Sequence, residues 1–324
     1  MRRSQDYRDR VNRVLDYIAD HLDGELSLAK LSRVGCFSPF HFHRIFQGVA
    51  GETLNAHVRR VRLERAALLL RTTPGKRITD VALETGFAGT PEFSRAFKAH
   101  FGRTASSWDR RSPLEKSKIG QAPEGHPFHT EEDLRRWQAA KSTRPSRRRS
   151  GRFRYVYTRI FAPYSSTRLL DCYHATVAWL AERGTDTGDV VFVGMSLDDP
   201  AITPAEKCRY DLGVAFPQEA GGVVGEIVRS RGRRAASAAL PGRAECDARG
   251  FTLRDFAAQD LVSLHCAGDL GDVERAWHYL YRIWLPPSGF EPANLPAMEM
   301  FVRLPEEIGW TTFDMTLCIP VVRL

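Results

Sequence analysis

The sequence predicts a multidomain chain: an all-α domain of two helix-turn-helix units in front, and an α+β domain of two strand-helix-strand-strand modules behind. Three observations carry this. A glycine-framed stretch, GCFSPFHFHRIFQGVAG (35–51), recurs fifty-one residues later as GFAGTPEFSRAFKAHFG (86–102). Apolar spacing is helical up to about residue 111 and changes to short β-rich runs from residue 153. Charge divides at the same places: residues 1–111 hold 20 Lys and Arg against 12 Asp and Glu, residues 112–152 hold 10 against 5, and residues 153–324 hold 17 against 22. These divisions set the expected boundaries: a double helix-turn-helix domain over 1–111, a basic linker over 112–152 and a second domain over 153–324.

In the front domain, LSLAKLSRVG offers Ser27 as an N-cap, followed by Leu28, Leu31 and Val34 at helical spacing. A turn follows, and Pro39 stands where the first turn of a helix accepts proline. Phe42, Ile45 and Phe46 then make an apolar stripe. The second unit repeats this with Ile78, Val81 and Ala82, a turn at Gly86, and a helix from about Pro91 that buries Phe93, Ala96 and Phe97. Between the units, TLNAHVRRVRLERAALLLRTT reads as one long helix. In the repeat register Gly35 meets Gly86, Phe42 meets Phe93, Arg44 meets Arg95, Phe46 meets Phe97 and Gly51 meets Gly102. Core packing explains the phenylalanines. It does not explain the opposite face, where Phe40, His43, Arg44 and Gln47 project from one helix and Thr90, Glu92, Arg95 and Lys98 from the other. A helix fits the DNA major groove, and an arginine there forks onto guanine. Two such helices on one rigid connector suit successive grooves about 34–36 Å apart.

These motifs, SLAKLSRVGCFSPFHFHRIFQGVAGETLNAHVRRVRLERAALLL and ITDVALETGFAGTPEFSRAFKAHFG, resemble the DNA-binding domain of the AraC/XylS family of transcription regulators. The resemblance covers about a third of the chain. It implies double-stranded DNA as partner, with RNA polymerase as a further one, and base-reading residues at Phe40, His43 and Arg44, then Thr90, Pro91 and Arg95. The sequence departs from the family pattern at three positions. Cys36 stands where glycine is usual, which would shift the first turn onto Gly35. Pro91 has no side-chain hydrogen-bonding group, so any base contact there is apolar. Ala105 replaces a proline common after the last helix.

The linker is rich in Pro, Ser, Gly, Lys and Arg. Within it TEEDLRRWQAA reads as a short helix, with Thr130 three residues before Asp133. The run Arg147–Arg149 reads as solvated linker or as a set of phosphate contacts.

In the back domain, RYVYTRI, a helix over TRLLDCYHATVAWLAERG, VVFVGMSL and KCRYDLGVAFP form one module. DLVSLHCAG, a helix over LGDVERAWHYLYRIWLP, AMEMFVRLP and TTFDMTLCIPV form the second. Residues between Pro217 and Glu245 have no assigned register. Two such modules enclose a cleft along their pseudo-symmetry axis. In AMEMFVRLP the alternation of a strand turns Glu299 away from Met298 and Met300. A carboxylate on an inward face is costly unless it meets a cation or donors. The expected neighbours are Trp284, Tyr281, Trp310, Phe313, Phe216 and Tyr164, an aromatic setting that suits a hydrophobic cation. The competing reading leaves Glu299 on an exposed edge or paired with Arg303.

DDPAITPAEKCRYDLGVAFP, AWHYLYRIWLPPSGFEP and PAMEMFVRLP resemble the GyrI-like effector-binding domain, and the resemblance spans 153–324. It implies Glu299 in a ligand cleft with a small effector. It also leaves two alternatives open: a hydrolase with Glu299 as general base and a tyrosine partner, or a protein-binding module. No catalytic residue is assigned in the favoured reading. No cofactor or metal is implied, since the histidines of HFH (41–43) do not share a helix face. The charged N-terminus MRRSQDYRDR lacks the apolar stretch of a signal peptide. No apolar run reaches the roughly 20 residues that a membrane helix needs. Cys36, Cys172, Cys208, Cys246, Cys266 and Cys318 are scattered, as reduced thiols of a cytoplasmic protein would be.

Overall fold

The computed structural model describes residues 2–108, 129–163, 167–200 and 202–324. The chain forms two compact units, Met1–Gly125 with Ala201–Thr203, and His126–Pro200 with Pro204–Leu324. Among the described residues no helix is long and apolar enough to cross a membrane.

Among its described residues the first unit is built of helices and turns. α1 (Arg2–Asp20) buries Val11, Val14, Leu15 and Ile18. α2 (Leu28–Val34) starts where the Ser27 side chain accepts from the Lys30 amide at 3.4 Å, as the cap reading expects. α3 (Pro39–Ala50) and α4 (Leu54–Thr72) follow, then α5 (Ile78–Glu84) and α6 (Thr90–Phe101). Phe42, Phe46, Phe93 and Phe97 are fully buried. The frame glycines Gly51 and Gly102 end α3 and α6 in the left-handed conformation, with φ of 72° and 73°.

The two turns differ from the expected register. Cys36 itself takes the left-handed backbone (φ 54°), while Gly35 stays right-handed (φ −80°). Phe37 N bonds Ser32 O at 2.8 Å and Phe87 N bonds Ala82 O at 3.0 Å, so Cys36 matches Gly86 (φ 82°). Because Phe42 still matches Phe93, the second turn is one residue longer. Gly35 is needed for a different reason: a Cβ there would lie 2.8 Å from the Phe37 ring. The departure at Cys36 therefore leaves the turn where the family has it, on a residue that pays for the conformation.

α4 is fixed at its start by a buried network. Glu52 accepts from Arg60 Nη2 at 2.7 Å and lies 2.9 Å from His57 Nδ1, and Arg60 Nη1 also donates to Glu64 at 2.9 Å. Further along, Arg62 donates to the carbonyls of Leu22 and Gly24, each at 2.8 Å. These bonds hold the connecting helix against the rest of the unit, which is what two presented helices require.

The second unit begins before the expected boundary. α7 (Glu131–Ala139) has the anticipated capping box, with Asp133 N bonding Thr130 Oγ1 at 3.1 Å and Thr130 N bonding Asp133 Oδ2 at 3.0 Å. Next comes β1 (Ser146–Arg149), then β2 (Phe153–Phe161), α8 (Arg168–Glu182), β3 (Val191–Ser196) and β4 (Arg209–Pro217). α9 (Gly222–Ser230) lies in the stretch that had no assigned register, α10 (Arg243–Arg249) starts at its end, and β5 (Thr252–Phe256) follows. β6 (Asp260–Gly268), α11 (Leu270–Tyr279), a π turn (Leu280–Trp284), β7 (Phe290–Pro292), β8 (Ala297–Arg303), α12 (Pro305–Ile308) and β9 (Phe313–Arg323) complete the unit. The sheet is antiparallel, in the order β1-β6-β9-β8-β3-β4-β2-β5, with β7 on the far end of β9.

The two modules are β2-α8-β3-β4 and β6-α11-β8-β9, related about an axis between the central strands β3 and β8. Their helices align in sequence: Tyr173-His174 matches Trp277-His278, and Trp179-Leu180 matches Trp284-Leu285 after one extra residue. That residue is accommodated by the π turn, closed by Leu285 N to Leu280 O at 2.9 Å. One face of the sheet packs under α9 through Val223, Val224, Ile227 and Val228 with Met298 and Met300. On the other face α8 covers one half and α11 the other, each with its own core.

The basic run Arg147–Arg149 is a correction to the linker reading. It forms the edge strand β1 against β6. Arg147 meets Asp260 at 3.4 Å, Arg148 pairs with Glu226, and Arg149 donates to Ala258 O at 3.3 Å. A strand pairing more than a hundred residues away cannot be read from local composition, and charged edge strands are a common way to discourage edge-to-edge association.

Candidate functional site

On the first unit, Phe40, His43 and Arg44 are exposed along α3, with Phe40 81% accessible. On α6, Pro91 and Arg95 are exposed and Thr90 is half-buried. Neither Arg44 nor Arg95 has a carboxylate or carbonyl partner among the described residues. Each sits two residues after a buried phenylalanine, Phe42 and Phe93, so the helix that buries the ring presents the guanidinium on its opposite side. Two cationic, unpartnered side chains thus occupy the same place in two copies of one scaffold.

On the second unit, Glu299 lies on β8 between Met298 and Met300, which are buried on the α9 face. Its register partner on β3 is Gly194. A Cβ at Gly194 would stand 1.6 Å from the Tyr210 hydroxyl, so the missing side chain is what lets that phenol cross β3. Tyr210 Oη donates to Glu299 Oε2 at 2.5 Å, and Trp277 Nε1 donates to Glu299 Oε1 at 2.9 Å. Two buried ion pairs flank Tyr210 in sequence and fix its strand. Arg209 holds Asp198 at 2.7 Å, and Arg159 holds Asp211 at 2.7 Å.

Burial pushes the Glu299 carboxyl above the ordinary carboxylate range, and the bonds from Tyr210 and Trp277 pull against that rise. Arg303, the partner in the competing reading, is committed elsewhere, with its Nε donating to Asp314 Oδ2 at 2.5 Å. Among the described residues no cation is paired with Glu299. Neutral donors satisfy both of its oxygens and leave its charge uncompensated.

The expected aromatic ring of neighbours is only partly present. Tyr281 stacks at 5.9 Å on Trp277, the indole that bonds Glu299. Trp284 packs into the α11 core, and Trp310 packs on Tyr173 (5.5 Å) and His174 (5.6 Å); neither bonds the carboxylate. Phe216 is a correction. It is fully buried against Trp179 at 6.1 Å, under the Arg183 guanidinium. It shares a strand face with Tyr210 but lies six residues further on, about 20 Å along the strand. Tyr164 lies outside the described residues. Sequence reading missed Tyr210, Trp277 and Gly194. The usable signal was the glycine inside VVFVGMSL, which in a strand marks close approach of another group.

The first unit thus presents a duplicated pair of helices with exposed cations, and the second holds a half-buried anion between neutral donors. Residues 31–111 match the helix-turn-helix domain family, and residues 154–322, over half of the chain, match the GyrI-like small molecule binding domain. The chain belongs to the AraC-type helix-turn-helix family and carries a GyrI-like small molecule binding domain at its C-terminal side. Among its relatives, the right origin-binding protein of Escherichia coli is 36% identical over 113 residues, covering 35% of this chain. This chain spans 38% of the length of that relative. The regulatory protein SoxS of Salmonella typhimurium is 32% identical over 101 residues, which are 31% of this chain and 94% of that protein. The solved structure of a probable AraC family transcriptional regulator from Rhodopseudomonas palustris is 28% identical, covers 31% of this chain and 93% of that chain, and superposes with a TM-score of 0.29.

Proposed function

We propose that this protein is a ligand-responsive transcription regulator. In this reading α3 and α6 contact double-stranded DNA through Phe40, His43, Arg44, Thr90, Pro91 and Arg95. The cleft of the second unit takes a small hydrophobic cation, which alters the regulatory output. The names of the relatives, a regulatory protein and an origin-binding protein, support the first half. The observation that carries the second half is Glu299, held on both oxygens by neutral donors and paired with no cation among the described residues. A half-buried anion without a counter-ion is costly, so an incoming cation regains that cost as affinity. Trp277 and Tyr281 add aromatic faces on which such a ligand rests.

The test is titration of the full chain with cationic dyes and neutral isosteres of the same shape. Glu299→Gln keeps the volume and removes the charge, so cation affinity falls at least about thirtyfold while the isosteres change little. Equal loss for both classes would show that the charge only holds the fold. Cation binding is also strongest where Glu299 is ionised. Because its pKa is raised, binding is lost as pH falls at values above the 4.5 of an ordinary glutamate.

The 2.5 Å contact between Tyr210 and Glu299 also favours a second reading, a hydrolase in which Glu299 is the general base. Recovery of unchanged ligand after long incubation would exclude it, and steady turnover of electrophilic esters would replace the sensor reading.

A further inference from the structure

Residues 227–244 hold five arginines, Arg229, Arg231, Arg233, Arg234 and Arg243, and no acidic residue, although residues 153–324 as a whole hold 17 Lys and Arg against 22 Asp and Glu. Like charges held close together repel, so such a cluster costs stability until an anion meets it.

The fold turns these arginines in two directions. Arg231 points inward, where its guanidinium donates to the carbonyls of Val190 and Phe301 at 2.8 Å and of Val302 at 3.0 Å. It pins the start of the loop that follows α9. Ala235 is buried in the core that α9 covers, and Ser237 Oγ donates to Arg234 O at 2.6 Å. Ala236 between them holds a left-handed backbone, with φ of 60°. A residue with a Cβ keeps that conformation only where its surroundings fix it. The loop is a fixed frame, and Arg229, Arg233 and Arg234 stand exposed around a hollow of about 600 Å³ beside it.

The three arginines differ in what they already hold. Arg229 Nη1 donates to Ala220 O at 2.6 Å, and Arg233 Nη2 donates to Asp186 Oδ2 at 2.7 Å. The Arg234 guanidinium has no hydrogen bond or ion pair among the described residues. No described acidic side chain lines the hollow, and the rest of its wall is Ser237 with the alanines 220, 235 and 236. It lies on the α9 side of the sheet, opposite the face that carries Glu299.

We propose that this hollow binds a small anion containing two linked phosphoryl groups. A guanidinium forks onto phosphate oxygens, and three of them around one hollow match two phosphoryl groups better than one. The volume is that of a small-molecule site, yet the wall offers no aromatic ring on which a base could stack. Recognition therefore rests on the phosphoryl groups. A concave site on one loop favours a small anion over the DNA backbone, which a net acidic unit repels. This site and the cation reading of Glu299 stand independently of each other.

The test is calorimetric titration of the full chain with pyrophosphate, inorganic phosphate and ADP at fixed salt. Pyrophosphate is expected to bind about tenfold tighter than phosphate, and ADP no tighter than pyrophosphate. Arg233→Ala and Arg234→Ala should each weaken pyrophosphate about tenfold. Asp186→Asn should instead tighten it about threefold, since it frees Arg233 from a competing carboxylate and still accepts from Gly188 N. All three positions are exposed, and thermal melting confirms that each variant is folded. Unchanged pyrophosphate affinity in both arginine variants, or no binding to the wild type, overturns the site. An equal loss for random duplex DNA in the same variants also overturns it, by making the arginines contacts to nucleic acid. ADP binding at least about tenfold tighter than pyrophosphate would overturn phosphoryl recognition as the basis of binding.

Discussion

In the first unit, α3 and α6 carry exposed arginines at one repeat position, Arg44 and Arg95, and the buried phenylalanines behind them also match. In the second unit, the two modules keep their aromatic donors in register, Tyr173 and Trp277, but place Gly194 on one central strand and Glu299 opposite it on the other. The contrast follows from what each symmetry meets. In the proposed DNA reading a repeating polymer presents equivalent contacts to two equivalent helices, so both arginines serve the same purpose. In the second unit the matched helix residues meet different partners: Trp277 bonds Glu299, whereas Tyr173 packs on Phe192, so the carboxylate has no counterpart in the other module. Gly194 opposite it leaves the space that the Tyr210 phenol fills, and that phenol donates to Glu299.

The largest expected effect breaks the asymmetry from the glycine side. Gly194→Val puts side-chain atoms where the Tyr210 hydroxyl lies. It should expel the phenol, leave one Glu299 oxygen without a donor, and destabilise the second unit by about 3 kcal/mol. Chemical denaturation of the full chain measures it. An unchanged midpoint would mean that Tyr210 is not held over β3 by lack of space.

Acid should separate the halves of the first unit. Burial alone would raise the Glu52 carboxyl, but hydrogen bonds from His57 and Arg60 overcome it and hold the pKa at about 2. A folded pKa below the ordinary 4.5 contributes stability that is complete above 4.5 and disappears as pH falls toward 2. The amount is about 2–3 kcal/mol. Glu52 follows the frame glycine Gly51, whereas Arg103 follows Gly102, so the second half lacks the same network. Hydrogen exchange below pH 4 should open the α3–α4 junction before α5 and α6, and simultaneous opening would argue against a local role.

How much of this was legible in the sequence divides along the same line. Helix positions in the first unit were readable because caps and stripes are local: Ser27 and the two glycines mark their own ends. The module order and the inward turn of Glu299 were readable from alternation. The contacts of Glu299 were not, because Tyr210 and Trp277 reach it through sheet register and helix placement, 89 and 22 residues away. Phe216 was misplaced because strand alternation reports the face of a residue and not its distance along the strand. The β1 arginines were misread because their acidic partners, Asp260 and Glu226, come from distant elements.

The proposed DNA contacts give a further test of the repeat. Arg44→Ala and Arg95→Ala should each cost about 2 kcal/mol at a specific site and relax base preference at positions about one helical turn apart. Random DNA should lose much less. Binding selection with each variant shows which positions relax. Equal loss on specific and random DNA would reduce both arginines to phosphate contacts, and relaxation at one shared position would refute the two-groove arrangement.

The smallest effect concerns the turn, where the first unit's repeat is also imperfect. Cys36 holds a left-handed backbone that a residue with a Cβ adopts at a cost of about 1–2 kcal/mol. Glycine relieves that strain but loses more chain entropy on folding, about 0.5–1 kcal/mol. The balance leaves Cys36→Gly more stable by about 0.5–1 kcal/mol, and since Cys36 is exposed, little packing is lost. The reciprocal change is not symmetric. At Gly86 a Cβ would also stand 2.3 Å from the Leu22 carbonyl and 2.7 Å from the Arg62 guanidinium, the group that ties α4 to that carbonyl. Gly86→Ala should therefore destabilise by more than Cys36→Gly stabilises. Thermal melting of the two variants beside wild type decides the point. A lower melting temperature for Cys36→Gly would mean that the cysteine side chain contributes something to the turn that offsets its strain, and the two turns would then differ in more than length.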